Sequence, residues 1–201
     1  MEVIDVFKSG GPVMYALLLC SICTAVIMIE RGMFYHRAGK NLGIFVDNLP
    51  NMLLNKSWNE AYADAAQEDN AAAFVAQEGI RAAAEGKDLR LALDTAYSTA
   101  AAELRAHLNY LSMIVTLSPL LGLLGTIAGM ISSFQIFNLQ AGQPMAITGG
   151  IGALIATAAG LCVAIFALVV HTVFAQKMDD ILTVIEKADA IISSEGRRRG
   201  I

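Results

Sequence analysis

In the longest uncharged segment of this chain, the side chains that could do chemistry are those with hydroxyl groups. Between Arg105 and Lys177 there is no Asp, Glu, Lys or Arg. Thr126 and Thr157 lie near the middle of two apolar runs in that segment. A threonine hydroxyl can order water or hydrogen-bond an acid, but it cannot load and release a proton as a carboxyl does. The ordinary alternative is that each hydroxyl donates to a carbonyl of its own helix and is inert.

Other reactive side chains do not assemble into a site. Cys20 and Cys23 have the spacing of a zinc or redox pair, but they lie within an apolar run and no second ligand pair is near. We interpret them, with Cys162, as small packing residues. The glycines of residues 122–129 do not follow a strand, which excludes a nucleotide-binding loop. The sequence therefore predicts no enzyme activity, no cofactor and no metal site.

Three apolar runs are long enough to place these residues inside a bilayer. They cover residues 12–29, 111–137 and 147–175, and a helical crossing needs roughly 20 apolar residues. The first run is not followed by a small-residue cleavage site, so we interpret it as a membrane span and not as a signal peptide. The sequence predicts an all-α membrane protein with three transmembrane helices and long cytoplasmic helical extensions, oligomeric around a central pore.

The positive charges predict the orientation. Of the 14 Lys and Arg residues, only Lys8 precedes the first span, and none lies in the turn at 138–146. Because cytoplasmic segments carry the excess of Lys and Arg, the N-terminus (1–11) and this turn are predicted to be external. The helical domain at 30–110 and the tail at 176–201 are then cytoplasmic.

The cytoplasmic segments carry helix-boundary patterns. Ser57 and Glu60 form a capping-box pattern, Asn70 or Asp69 could cap a further helix, and Gly86 is placed to end one. Asp88 is the expected N-cap of a helix that begins at Leu89. Since no residue from 89 to 118 is a helix breaker, we expect this helix to run unbroken into the second span as a rod of about 70 Å.

The tail after the third span is expected to continue that helix and to pack against the rod. Its apolar residues recur at helical spacing, at Ile181, Val184, Ile185, Ala188, Ile191 and Ile192. Residues 197–199 are three arginines, for which we expect a solvated tail; attraction to anionic lipid is the alternative.

Small residues form one stripe on each of the two long spans. The stripe in the second span contains Gly122, Gly125 and Gly129, and the stripe in the third contains Gly149, Ala153, Ala156 and Gly160. Small residues allow the close helix approach on which packing in lipid depends. Packing within one subunit explains each residue taken singly, while two stripes on consecutive helices favour an oligomer.

The sequence PLLGLLGTIAGMI at residues 119–131 closely resembles the signature of the ExbB/TolQ/MotA proton-channel family. The sequence GIGALIATAAGL at 150–161 resembles the start of that family's third span. Gly10, Gly11 and Pro12 at the start of the first span, with Glu30 and Arg31 at its end, also fit. The ExbB or TolQ branch fits better than the four-span MotA branch.

The resemblance implies a homo-oligomer, a pentamer in this family, in the bacterial inner membrane. Its pore would hold the single transmembrane helices of an ExbD- or TolR-like partner that supplies a membrane Asp. Inward proton flow would drive motion that a TonB- or TolA-like protein carries onward. Thr126 and Thr157 match the family's two pore threonines. No nucleic-acid partner is implied.

One departure from the family pattern concerns the proton carrier. The family usually has a Glu in the third span, but here Gly152 is followed directly by Ala153. The proton-carrying acid must then come from a partner helix. A non-conducting scaffold of the same architecture is the alternative function, and an unrelated three-span transporter or enzyme subunit is a more distant one.

Overall fold

The computed structural model describes residues 10–139 and 145–200, and of residues 134–139, 145–151 and 153 only the backbone. All regular structure in these ranges is α-helical. The helices are α1 Val13–Ala38, α2 Leu42–Asn55, α3 Trp58–Ala65, α4 Ala71–Ala84, α5 Leu89–Arg105, α6 Leu108–Leu139 and α7 Met145–Arg198. The centre of the predicted external turn, residues 140–144, lies outside the described residues.

Three helical stretches are long and apolar enough to cross a membrane. They lie within Val13–Asn55, Leu89–Ser133 and Leu154–Arg198. The chain divides into two compact units, and each is described by itself. The first unit contains Met1–Ile29 and His107–Val173, and the second contains Glu30–Ala106 and Phe174–Ile201.

In the first unit, α6 and α7 run antiparallel and approach to backbone contact. A Cβ atom added to Gly160 would lie 2.6 Å from the carbonyl oxygen of Ser118 and 3.1 Å from Cα of Gly122. A Cβ atom on Gly122 would lie 3.0 Å from Cα of Thr157. The start of α1 packs against the same pair of helices, where Leu17 is buried beside Ala156. Glycine is required at 122 and 160 because the facing atoms belong to the backbone.

The second unit has a core of alanine and branched aliphatic side chains. Side chains with no more than 1% exposure come from α2 to α5 and from the end of α7: Leu49, Leu53, Ala61, Ala65, Ala72, Ala73, Val75, Ala76, Ile80, Leu93, Leu104, Ile185, Ala188 and Ile192. Alanine dominates α3 and α4, which lets these short helices approach closely. The unit thus buries an apolar core of its own.

The predicted helix boundaries within the second unit are confirmed. Ser57 and Glu60 form both hydrogen bonds of a capping box. Asn70 accepts from the amide of Ala73, and Asp88 caps α5 in the same way. Gly86 adopts a positive φ of 66° directly after α4, a conformation that glycine adopts without a steric penalty.

The predicted unbroken rod is wrong, because α5 ends at Arg105 and α6 begins at Leu108. His107 has a left-handed φ of 66° between them. Histidine is enriched in that region among non-glycine residues, although neither Gly nor Pro marks the break. Two carbonyls at the end of α5 accept hydrogen bonds from side chains of α1, and that of Glu103 also accepts from the amide of Ala106.

These donors are Arg31 and Tyr35, one turn apart on α1. Arg31 Nη1 donates to the carbonyl oxygen of Glu103 at 3.0 Å, and Tyr35 Oη donates to that of Leu104 at 2.6 Å. A cation at a helix C-terminus is also favoured by the helix dipole. Burial raises the pKa of the Tyr35 hydroxyl above its ordinary value, so the phenol stays a donor over a wider pH range.

The tail continues α7 as predicted, and Ile181, Ile185, Ala188 and Ile192 are buried in the second-unit core. Tyr97 of α5 also donates to Glu186 of α7 at 2.8 Å.

The prediction of a solvated tail at residues 197–199 is wrong for Arg199. Its guanidinium donates to the carbonyl oxygens of Leu53 and, at 3.1 Å, Lys56. Its Cζ atom lies 4.4 Å from the centre of the Trp58 ring. Arg199 Nε also donates to the buried Glu195 at 2.7 Å. The last arginine is therefore held against the start of α3.

Replacing Gly160 with Ala is expected to destabilise the first unit, because the new methyl group meets backbone atoms that cannot rotate away. The expected loss is about 1–3 kcal/mol, measured as a lower thermal midpoint of the purified protein. Gly43→Ala is the matched control, since a Cβ atom at that helical glycine meets nothing within 4 Å. Equal midpoints for the two variants would contradict the close approach.

Tyr35→Phe is expected to lower stability by about 0.5–1.5 kcal/mol, since it removes the donor to the Leu104 carbonyl and little else. The control is Tyr62→Phe. Tyr62 packs against the same core, and in the part of the chain that the structure describes its hydroxyl has no hydrogen-bond partner. Thermal midpoints report both changes, and a larger loss for Tyr62→Phe would refute the capping role of Tyr35.

Candidate functional site

The α6–α7 contact brings the hydroxyl of Thr157 to the backbone of α6. Its Oγ1 donates to the carbonyl oxygen of Gly122 at 2.9 Å. A threonine in a helix ordinarily donates within its own helix, but here the glycines let the backbones approach closely enough for a bond between helices. The bond fixes the position of the Thr157 hydroxyl on the α7 side of the contact.

Thr126 lies on α6 four residues after Gly122. That spacing is about one turn of an α-helix, so Thr126 lies one turn from the acceptor of Thr157. The side chain of Thr126 donates separately, from Oγ1 to the carbonyl oxygen of Leu123 at 2.7 Å. Both threonines are half-buried.

Beside this pair lies a polar residue whose side chain is not satisfied. Ser118 is fully buried, and its Oγ atom has no hydrogen-bond partner among the described residues. The next residue, Pro119, lies inside α6 and has no amide hydrogen. The carbonyl of Val115 therefore lacks its usual helical donor. The segment 115–119 thus contains a buried hydroxyl and a backbone acceptor without ordinary partners.

The described residues of the first unit contain no Asp, Glu, Lys or Arg. The sequences of 13–29 and 108–173 contain no Asp, Glu, Lys or Arg. The described residues contain no group of three His, Cys, Asp or Glu side chains that could hold a metal ion. The site can orient water or bind a polar group by hydrogen bonding, and no described residue of the first unit supplies a carboxyl there.

The structure brings together four of the predicted packing residues. Gly122, Gly125, Ala156 and Gly160 all lie at the α6–α7 contact, where a Cβ atom on Gly125 would lie 2.6 Å from that of Ala156. Gly129 is half-buried, and its carbonyl accepts from the hydroxyl of Ser133. Gly149 and Ala153 belong to the part of α7 for which only the backbone is described.

Sequence reasoning missed the carbonyl of Gly122 as the acceptor for the hydroxyl of Thr157. Thr157 and Gly122 are 35 positions apart, and their pairing depends on the register of two helices. The sequence carries only a weak signal for it, the glycine within each small-residue stripe. Reasoning from the sequence also missed Val13 of α1, whose side chain would lie within 4 Å of a Cβ atom on Gly125.

Comparison with known proteins places this site in a family. The family described as the MotA/TolQ/ExbB proton channel family matches residues 65–187. The match includes both threonines and the whole described α6–α7 contact.

Individual relatives agree with this match. The biopolymer transport protein ExbB-like 1 of Synechocystis sp. is 37% identical to this chain over 201 residues, which cover 89% of this chain and 74% of the relative. The protein ExbB-like 3 of the same organism is 34% identical over 83% of this chain and 81% of its own length. The biopolymer transport protein ExbB of Salmonella typhimurium is 32% identical over 68% of this chain and 52% of its own length. The chain belongs to the MotA/TolQ/ExbB proton channel family.

Proposed function

We propose that this chain is the channel subunit of an ExbB/TolQ-like complex that couples inward proton flow across the bacterial inner membrane to work on an envelope partner. One observation carries the proposal. Two half-buried threonines lie at the α6–α7 contact, where Thr157 donates to the Gly122 carbonyl, and the sequence of 108–173 has no Asp, Glu, Lys or Arg. Hydroxyls in such surroundings can line a path for water or a protonated group without trapping an ion.

The proton-carrying acid belongs to a partner in this proposal. From Leu104 to Met178 the sequence has no Asp or Glu, and a side chain that moves protons through a low-dielectric core must ionise reversibly. By the family resemblance, a single-span ExbD- or TolR-like protein supplies a membrane Asp, and a TonB- or TolA-like protein receives the work.

The chain assembles as a homo-oligomer, a pentamer by resemblance, in which α6 and α7 line the pore. The first unit leaves many large apolar side chains more than half exposed, among them Leu120, Leu123, Leu124, Leu154 and Ile165. Lipid and neighbouring copies are the partners that suit such a surface, because soluble proteins rarely expose so much of it. Small-residue packing on one side of each helix leaves the other sides free for these contacts.

A non-conducting scaffold is the second candidate, and one observation favours it. The acid usual in the family's third span is absent between Gly152 and Ala153. If that acid takes part in the proton step, this chain would assemble with its partner and not conduct.

Proton flux into liposomes distinguishes the two functions. We expect flux when the chain is reconstituted with the single-span protein that co-purifies with it, and none from the chain alone. Thr126→Val and Thr157→Val are each expected to lower this flux about two- to ten-fold, the effect of losing one hydrogen bond.

Thr172→Val is the matched control for the flux measurement. Thr172 also lies on α7, and its exposed hydroxyl donates to the carbonyl of Leu168 at 2.9 Å. Its loss should leave the flux unchanged. Strong flux from the chain alone would show that the acid does not come from a partner, and an assembled complex without flux would support the scaffold.

Labelling of single cysteines tests the proposed orientation, with the N-terminus and the turn at 138–146 outside. In a background without Cys20, Cys23 and Cys162, an impermeant thiol reagent applied to whole cells should label Gln140→Cys and leave Ser57→Cys unlabelled. Both should be labelled in lysed cells, which is the control for reactivity. The reverse pattern in whole cells would invert the orientation.

A further inference from the structure

The second unit contains an open cavity of about 250 Å³ between the end of α1, the start of α4 and the end of α5. Phe34, Phe74 and Leu104 form its apolar walls, with alanine side chains between them. The ring of Phe34 already lies 4.8 Å from Cζ of Arg31, so Phe74, which is 41% exposed, offers the accessible aromatic surface. Pockets for drug-sized ligands usually begin at about 300 Å³. This cavity therefore suits a single long side chain.

Two polar groups of residues that line the cavity have no partner among the described residues. Asn70 is 6% exposed, and its Oδ1 accepts from the amide of Ala73 while its Nδ2 donates to no atom of these residues. Glu103 is exposed, and in the part of the chain that the structure describes its carboxylate makes neither an ion pair nor a hydrogen bond. An unpaired buried donor is unfavourable, and a carbonyl oxygen of a bound segment would satisfy it. The cavity thus offers one donor and one anionic acceptor.

The charges at the cavity favour a cation. Arg37 Nε donates to Asp69 Oδ2 at 2.7 Å, so this pair is neutral as a whole and Glu103 leaves the lining with a net charge of −1. A Lys or Arg side chain fits such surroundings, because its aliphatic stem packs on apolar walls while its charged head stays near water and a carboxylate. A cation is also attracted to the face of an aromatic ring such as that of Phe74.

The cavity lies close along the chain to two of the membrane spans. Phe34 follows the apolar run 12–29 by five residues, and Leu104 precedes the run 111–137 by seven. With the orientation proposed above, these residues are cytoplasmic. Membrane proteins carry their excess of Lys and Arg in cytoplasmic segments next to their spans. The cytoplasmic flank of a single-span partner is therefore a basic segment held near the same side of the membrane.

We propose that this cavity binds a Lys or Arg side chain from the cytoplasmic segment of a single-span membrane partner. The inference rests on the proposed function, which supplies that partner. The basic side chain packs along Phe74 with its charge near Glu103, and a backbone carbonyl of the same segment accepts from Asn70 Nδ2. The contact attaches the partner to the second unit, by residues other than those of the α6–α7 contact. The length of chain between the partner's membrane helix and this attachment then limits how far that helix can move.

Fluorescence anisotropy of a peptide tests the cavity. The probe is the peptide ARLARLA with an uncharged dye, titrated with the purified chain in an uncharged detergent, and the peptide AELAELA is its acidic counterpart. We expect only the basic peptide to bind. Glu103→Gln should weaken this binding about two- to five-fold, the effect of one exposed ion pair. Asn70→Ser should weaken it about two- to ten-fold, because serine retains the N-cap of α4 and lacks the amide donor.

Asp94→Asn is the matched control for the loss of a carboxylate. Asp94 is exposed on α5 and does not line the cavity, so its replacement should leave the affinity unchanged. A loss in Asp94→Asn equal to that in Glu103→Gln would indicate attraction to the overall negative charge and would overturn the proposal. Equal binding of the acidic peptide would overturn it as well.

Failure of the cavity and failure of the proposed function give different results. If Asn70→Ser does not fold, Phe74→Leu takes its place, and an unchanged affinity in both Phe74→Leu and Glu103→Gln would overturn the cavity as the binding site. Proton flux in the reconstituted complex without binding of the basic peptide contradicts the cavity alone. Peptide binding by a chain whose complex carries no flux contradicts the channel function alone.

Discussion

The first unit depends on the close approach of α6 and α7 at Gly160. Lipid supplies no hydrophobic driving force for the association of apolar helices, so van der Waals contacts and interhelical hydrogen bonds must stabilise it. Gly160 faces the Ser118 carbonyl and the Cα atom of Gly122 at distances that exclude even a methyl group. The bond from Thr157 to Gly122 follows from this contact, because a wider separation would place the carbonyl beyond reach of the hydroxyl.

An unsatisfied hydroxyl lies at the same contact. The buried Oγ atom of Ser118 has no partner among the described atoms, a loss of about 1–3 kcal/mol for a buried polar group. The carbonyl oxygen of the same residue lies 2.6 Å from the position of a Cβ atom on Gly160. Ser118 thus combines an unsatisfied hydroxyl with the closest backbone approach of α6 to Gly160.

The structural features that the sequence predicts correctly depend on residues that are close together along the chain. Ser57 and Glu60 are three positions apart, as are Asn70 and the amide that it caps, so the pattern can be recognised locally. The three apolar helices follow from length and composition. The apolar spacing of the tail likewise predicts its buried face.

What the sequence does not reveal depends on contacts between distant residues. The break after α5 is capped by Arg31 and Tyr35, which lie 72 and 69 positions from the carbonyls that they satisfy. No Gly or Pro marks the break, and local propensity alone favours an unbroken helix. The threonine pair has a similar origin, because Thr157 is recognisable by type while its acceptor depends on helix register. A family signature identifies such residues without explaining the bond that orients them.

The contact between Arg199 and Trp58 has a practical consequence. Trp58 is the single tryptophan of the chain, and the Arg199 guanidinium lies over its ring. Indole emission responds to a cation at the ring face and to the entry of water when that cation leaves. The intrinsic fluorescence of the unmodified protein therefore reports whether the end of α7 is seated on α3, without an introduced dye.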